Sequence, residues 1–153
     1  VDNNLTTTKE ISLPTKPFSK AIAVSDIRTQ LKEARELAIN KKINEALEIM
    51  QKLYENNPNN IDVNRDYARY LFWNGDISQA YDHIKLTGDS SNKLYKQIYN
   101  AYHLNKLKQI KSSTKKIKYI KNLDIFAQNN YDVMWTLMKA YIKKYQFSNA
   151  LKT

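Results

Sequence analysis

Small and apolar residues recur in this chain at a fixed interval of 34 positions. The same three residue types appear twice in the same order, as Ala34, Leu37, Ala46 and then Ala68, Leu71, Ala80. A period of this length in helix-forming sequence is typical of stacked helical hairpins, in which small residues lie where the helices approach most closely. The interval therefore predicts an all-α fold, an α-solenoid of about three to four helical hairpins.

Composition agrees with a helical fold. Two glycines and three prolines among 153 residues leave few turns for a many-stranded β fold, and 42% hydrophobic content is enough for a substantial core. No apolar run approaches the roughly 18 residues that cross a bilayer, and the start at Val1 lacks the plan of a signal peptide. Because cysteine is absent, disulfides and thiolate zinc sites are excluded, while the redox compartment stays open. We expect a soluble piece of a longer protein.

The positions of helix-breaking residues and of apolar stripes divide the chain into two predicted segments. Residues 1–24 hold a threonine run and two prolines without sustained periodicity, which predicts an extended or disordered leader. A helical repeat domain is predicted over residues 25–153, and Ser25 is the N-cap of its first helix. The second helix is expected to stop before Pro58, and Gly75 is expected to separate the two helices of the second hairpin.

The later hairpins are less regular. In the third, the serines and threonine at 112–114 interrupt the return helix, which is therefore predicted to be long or broken. The first helix of a fourth hairpin is predicted from Tyr131 to Tyr145, and its return helix is predicted to begin at Phe147. An array that ends inside a hairpin leaves an apolar face uncovered, so we expect the natural protein to continue beyond Thr153.

The first two hairpins resemble a known family. The residues that carry the likeness are Ile43 to Leu47, Asn57 to Asn60, Ala68 to Leu71, Gly75-Asp76 and Gln79-Ala80. They are similar to the tetratricopeptide repeat, which also places an alanine and a proline twelve positions apart, as Ala46 and Pro58 are here. The resemblance implies a right-handed superhelix with a concave face lined by the first helix of each hairpin, and a non-catalytic scaffold for protein–protein interaction.

A narrower likeness concerns residues 62–75, which are similar to the periplasmic repeats that precede outer-membrane β-barrels. YaiO-type proteins and exopolysaccharide-export porins carry such repeats. This second resemblance implies a periplasmic location and a role in an outer-membrane or exopolysaccharide-export protein. A cytoplasmic location is the alternative.

The implied concave face collects all four arginines of the chain. Its predicted binding residues are Arg28, Arg35, Arg65, Arg69, Phe72, Trp73, Trp135 and Lys139. Since guanidinium is a planar, permanently charged fork, this set predicts a groove for a protein or peptide partner with acidic groups. Two alternatives stay open: the arginines pair with acidic neighbours inside the chain, and the tryptophans serve packing.

Lysine is concentrated further along the chain. The predicted basic patch consists of Lys108, Lys111, Lys115, Lys116 and Lys118, with Lys106 and Lys121 on its flanks. The chain has a net charge of +10 and a pI of about 9.6. The alternative function is therefore to bind an anionic polymer, either an acidic glycan or a nucleic acid. As a partner of the scaffold, anionic polysaccharide is favoured over nucleic acid. The lysines also fit a solvated helix face, and the bias toward Lys, Asn and Ile also fits AT-rich coding.

Catalytic patterns are absent from the sequence. His83 and His103 fall in different hairpins and have no partner at metal-binding spacing. A glycine-rich phosphate loop and a nucleophile elbow are also missing. The sequence therefore predicts a protein that is not an enzyme and has neither a metal nor a cofactor.

Overall fold

The computed structural model describes the backbone of residues 18–150 and the side chains of residues 26–146. Over this range the chain forms α helices and no strand. The helices are α1 (Phe18–Ile39), α2 (Ile43–Asn56), α3 (Ile61–Asn74), α4 (Ile77–Lys85), α5 (Lys93–Gln109), α6 (Ser113–Lys121), α7 (Ile125–Gln128) and α8 (Tyr131–Ala150). The predicted all-α solenoid is confirmed.

The first two hairpins stack as the 34-residue interval predicts. Each helix from α1 to α4 packs against the next one along the chain. The repeated alanines are all fully buried, at Ala34, Ala46, Ala68 and Ala80. A methyl side chain at these positions lets neighbouring helices approach closely, so the interval in the sequence marks the contacts between helices.

Local chemistry ends the helices where the sequence predicts. Helix α2 ends at Asn56, two residues before Pro58. Asn60 caps α3, because its side chain accepts hydrogen bonds from the backbone N–H groups of Asp62 and Val63. Gly75 then ends α3 in the left-handed conformation, with φ 91°.

Two predicted helix ends are wrong. Helix α1 begins at Phe18 and not at Ser25, because residues 21–23 (Ala-Ile-Ala) have helical propensity that outweighs a weak cap signal. The predicted leader therefore overlaps the helix over residues 18–24, while residues 1–17 lie outside the described residues. Helix α8 continues to Ala150, so no return helix begins at Phe147, since neither glycine nor proline interrupts it.

The third hairpin has a broken return helix, but the break lies at residues 122–124, between α6 and α7, and not at 112–114. Helix α6 is followed by the short α7, and Ser112, part of the predicted interruption, caps α6 by accepting a hydrogen bond from the Lys115 N–H. Two clusters of buried residues run along the molecule: the first extends from Leu31 to Ile98 and the second from Tyr99 to Val133. Tyr81 and Tyr95 pack against both clusters and so join the regular and irregular parts of the solenoid.

Candidate functional site

Positive charge is concentrated in one part of the chain. Residues 106–144 contain ten lysines and two acidic residues, Asp124 and Asp132, whereas the other residues include fifteen basic and thirteen acidic ones. Most of the net charge of +10 therefore comes from the segment between the end of α5 and α8. A coding bias alone would spread lysine along the whole chain.

Two adjoining pockets lie between α5, α6 and α8. One has a volume of about 350 Å³ and is lined by Leu104, Leu107, Lys108, Lys116, Asp132, Trp135 and Thr136. The other has a volume of about 240 Å³ and is lined by Lys111, Ser113, Lys116, Thr136, Lys139, Ala140 and Lys143. The pockets share Lys116 and Thr136, so they adjoin, and we call the two together the basic groove.

Packing of the second core cluster places these lysines. On α8, Val133 and Ala140 are buried, which turns the neighbouring face toward the groove. That face carries residues at the helical spacing i, i+4, i+7 and i+11, namely Asp132, Thr136, Lys139 and Lys143. On α5, Leu107 is buried beside Lys108 in the same way. The groove is thus the polar edge of helices held by apolar contacts.

Among the described side chains, no carboxylate forms an ion pair with a lysine of the groove. The ion pairs of lysine in the described side chains lie elsewhere, at Lys32–Glu36, Lys42–Glu45 and Lys85–Asp82. Asp132 is the one carboxylate among the described residues that line the groove, and it lies in the first turn of α8, where it complements the helix dipole. The Lys139 ammonium lies 4.9 Å from the centroid of the Trp135 ring, a cation–π contact. The groove can therefore receive several negative charges at once.

The predicted arginine set has a different environment. Arg35 holds Asp66 through Nε and Nη2, at 2.8 and 2.7 Å from Oδ2, and Arg69 Nη1 lies 2.6 Å from Oδ1 of the same carboxylate. Arg65 instead pairs with Asp62 at 2.9 Å. Pairing within the chain, one of the stated alternatives, therefore describes three of the four arginines.

The remaining predicted residues divide between core and surface. Phe72 packs half-buried against the first core cluster. Trp73 and Trp135 are 57% and 46% exposed, so both rings are accessible. Arg28, Lys115 and Lys118 are exposed and line neither pocket.

The structure unites two groups that the sequence kept apart. Trp135 and Lys139, predicted with the arginines, lie in the basic groove with three members of the lysine patch, Lys108, Lys111 and Lys116. Sequence reasoning missed Thr136 and the contribution of Ser113 to this site. The four-residue spacing of Lys139 and Lys143, and the local excess of lysine, were signals that could have found the groove.

Both histidines are half-buried and contact polar side chains of the fold. The Asn64 amide donates to the carbonyls of Pro58 and Asn60, so its oxygen accepts from Nδ1–H of His83 at 3.1 Å. His103 Nδ1 lies 2.7 Å from the Tyr119 hydroxyl. Burial lowers the pKa of both imidazoles. Among the described side chains, His, Asp and Glu form no group of three that could bind a metal ion.

Comparison with known proteins supports a family for part of the chain. The sequence model of the tetratricopeptide repeat matches residues 37–98, from the end of α1 into α5. Together with the stacked hairpins, this match supports a tetratricopeptide repeat family. Neither a curated protein nor a solved structure matches the chain. The match ends before Leu104, so the basic groove lies outside the matched region.

The described helices differ from membrane-spanning helices. None of them combines the length and the apolar character that a crossing needs. The narrower likeness of residues 62–75 to YaiO-type periplasmic repeats is not shown by the family match and stays a prediction.

Proposed function

We propose that this protein is a non-catalytic interaction scaffold that docks an acidic segment of a partner protein in the basic groove. The observation that carries this proposal is a set of five groove lysines, gathered by α5, α6 and α8, that have no carboxylate partner among side chains 26–146. Tetratricopeptide repeats suggest protein partners and are typically non-catalytic, which agrees with such a role.

The groove combines charge with an apolar floor. Lysine ammonium groups on flexible stems can follow carboxylates along a peptide, and their field accelerates the encounter with an acidic partner. Leu104 and the exposed Trp135 ring offer contacts for an apolar anchor of the same segment. Aromatic anchors in partly enclosed sites supply much of the affinity of such interfaces, while the charges select the partner.

A charge-swap experiment tests this site. The probe is a fluorescent acidic peptide of about twelve residues with phenylalanines among its glutamates. We expect Lys116→Glu with Lys139→Glu to weaken its binding at least about tenfold, because repulsion replaces attraction at the centre of the groove. Fluorescence anisotropy at fixed ionic strength measures the change.

The matched control is Lys52→Glu with Lys93→Glu, on α2 and α5, which changes the net charge equally. Both lysines are exposed and line neither pocket. Salt screens surface charges over about 10 Å, so we expect this control to change the affinity for the acidic peptide by less than about threefold. Equal losses in the two variants would show binding to the overall charge and would contradict a docking site in the groove.

A second candidate function is to bind an anionic polymer, and the lysine excess over residues 106–144 favours it. An acidic glycan or a nucleic acid would bind through counterion release, so its affinity would fall steeply as salt rises. Alginate oligomers and single-stranded DNA are the probes, each titrated between low and physiological salt. Tighter binding of a polymer than of the acidic peptide, with this steep salt dependence, would favour the polymer function.

The periplasmic location and the role in an outer-membrane or exopolysaccharide-export protein stay predictions. They rest on the likeness of residues 62–75 to periplasmic repeats, and an anionic polysaccharide partner would suit that setting. Fractionation of the native cells tests the location, because a periplasmic protein is released by osmotic shock. Retention in the spheroplast lysate would support the cytoplasmic alternative.

A further inference from the structure

Helix α8 carries a second surface, which the basic groove does not explain. Six large apolar or aromatic side chains of this helix are 42–78% exposed: Tyr131, Met134, Met138, Tyr141, Ile142 and Tyr145. They recur every three or four residues and so form one continuous ridge, which we call the α8 stripe. The opposite side of the helix, with Val133 and Ala140, is buried in the second core cluster or beside it.

The α8 stripe has the composition of an interaction surface. A helix that is apolar on both its inner and outer sides normally has a partner on each. Tyrosine and methionine are also enriched in protein interfaces, where methionine adapts to irregular partners. Single exposed apolar residues need no explanation, but a contiguous row along four turns marks an interaction site.

The charge beside the α8 stripe indicates what covers it. Trp135 lies between the stripe and the basic groove, whose lysines Lys139 and Lys143 follow one edge of the stripe. A partner seated on the stripe therefore meets positive charge along that edge. A second copy of this chain would bring lysines against lysines, and each copy has a net charge of +10, so an acidic partner is favoured.

The geometry of the α8 stripe favours a helical partner. The backbone of α8 is hydrogen-bonded within its own helix, so it cannot pair with the N–H and C=O groups of an extended peptide. A helix satisfies its own backbone and packs its side-chain ridges between those of α8. The stripe covers fifteen residues from Tyr131 to Tyr145, so it is about 21 Å long and matches a partner of about four turns.

We propose that the α8 stripe and the basic groove together bind one amphipathic acidic helix of a partner protein. Its apolar face lies on the stripe, and carboxylates along one edge meet Lys139, Lys143 and Lys116. This inference rests on the proposed function for the acidic edge. It adds a defined partner conformation and a second set of contacts.

Two peptides of identical composition test the inference. One is an acidic helix-forming peptide of about 18 residues whose leucines fall on one face, and the other is a scrambled version whose leucines are dispersed. We expect the first to bind at least about tenfold more tightly and to gain helical circular dichroism when it binds. Replacing Met134→Ser and Met138→Ser should abolish this advantage, because both side chains lie at the middle of the stripe.

The matched control is Ile39→Ser with Leu86→Ser, two exposed apolar residues far along the chain from α8. This control should keep the advantage of the first peptide. Equal binding of both peptides, or no effect of the methionine changes, would overturn the helix inference. The proposed function would still stand if Lys116→Glu with Lys139→Glu weakened both peptides, whereas failure of both peptides to bind would overturn the two proposals together.

The three methionines of the chain provide an internal footprint. Met50 is fully buried, whereas Met134 and Met138 are 54% and 42% exposed. In free protein, peroxide should therefore oxidise Met134 and Met138 faster than Met50, and the bound helical peptide should slow these two reactions. If both methionines are instead protected in free protein, increasingly with its concentration, a second copy covers the stripe and the inference is wrong.

Discussion

Asp66 shows how one buried carboxylate joins two hairpins. Its side chain is almost completely buried and accepts hydrogen bonds from Arg35 of α1 and from Arg69 of α3. A charge removed from water needs such partners, and here both oxygens are bound. The Tyr70 hydroxyl is buried nearby, and this burial, with the Asp66 charge, raises the pKa of Tyr70 to about 12. Tyr70 therefore stays neutral beside the Asp66 carboxylate and its two arginines.

Replacing Asp66→Asn should lower the free energy of unfolding by about 2–3 kcal/mol, because both arginines lose a charged acceptor. Urea denaturation measures the change. Asp62→Asn is the matched control, since Asp62 forms an exposed pair with Arg65 and its loss should cost less than about 1 kcal/mol. Equal losses would mean that Asp66 does not tie the hairpins together. The same pairing predicts that changes at Arg69 affect stability as well as any binding.

Among the helical elements, the turn that follows the first helix of a hairpin has the same geometry in the first and second hairpins. Lys41 has φ 63° and Gly75 has φ 91°, and the two positions are 34 residues apart. The capping bond is 2.9 Å long in both turns, from Lys42 N–H to Leu37 C=O and from Asp76 N–H to Leu71 C=O. Both turns therefore close their helix by the same left-handed geometry, which suits glycine and strains lysine.

Lys41→Gly should raise the free energy of unfolding by up to about 1 kcal/mol, because glycine adopts positive φ without strain although it has more freedom in the unfolded chain. Thermal and urea unfolding measure the gain. The reverse change, Gly75→Lys, should lower stability by a similar amount. A Cβ at Gly75 meets no atom within 4 Å, so this variant reports backbone strain alone. A stabilised Gly75→Lys protein would contradict the explanation.

At the scale of the whole molecule, each core cluster is lined by one histidine. The His83 ring lies 4.5 and 4.4 Å from the ring centroids of Tyr54 and Tyr67, on the first cluster. The His103 ring lies 4.1 Å from that of Tyr99, in the second cluster, and its Nε2 atom is buried without a hydrogen bond. Protonation of either ring would place a charge among aromatic side chains, which is why burial lowers both pKa values.

The two histidines should make the fold less stable in mild acid. Their pKa values in the folded protein lie below the ordinary value of 6.5, so the unfolded chain binds more protons than the folded one as pH falls below 6.5. Stability is therefore fully present above this pH and is lost toward the folded pKa values. Urea midpoints between about pH 7.5 and pH 5 measure the loss.

In His83→Gln with His103→Gln, the decline of stability with falling pH should be shallower. The remaining slope then comes from carboxylates, which titrate at lower pH. A slope equal to that of the unchanged protein would show that the histidines do not cause the acid sensitivity. This outcome would contradict their structural role in the two clusters.

The hairpin interval and the ends of helices α2 and α3 can be read from the amino-acid sequence alone. These features depend on local chemistry: proline at 58 and glycine at 75 stop helices wherever the rest of the chain lies. The fully buried alanines follow from the same interval, because an alanine at each helix crossing is needed in every repeat.

The composition of the basic groove and the pairing of Arg35 with Asp66 depend on how the helices pack, which the sequence alone does not show. Arg35 and Asp66 are 31 positions apart, and Lys108 lies far along the chain from Lys143, so no local pattern pairs them. The repeat pattern is lost in the third hairpin, where the short helix α7 interrupts the stacking. There, the packing of apolar side chains in the second core cluster determines which helix faces meet. Local rules fix where a helix begins and ends, whereas the side chains that share a surface depend on how helices pack against each other.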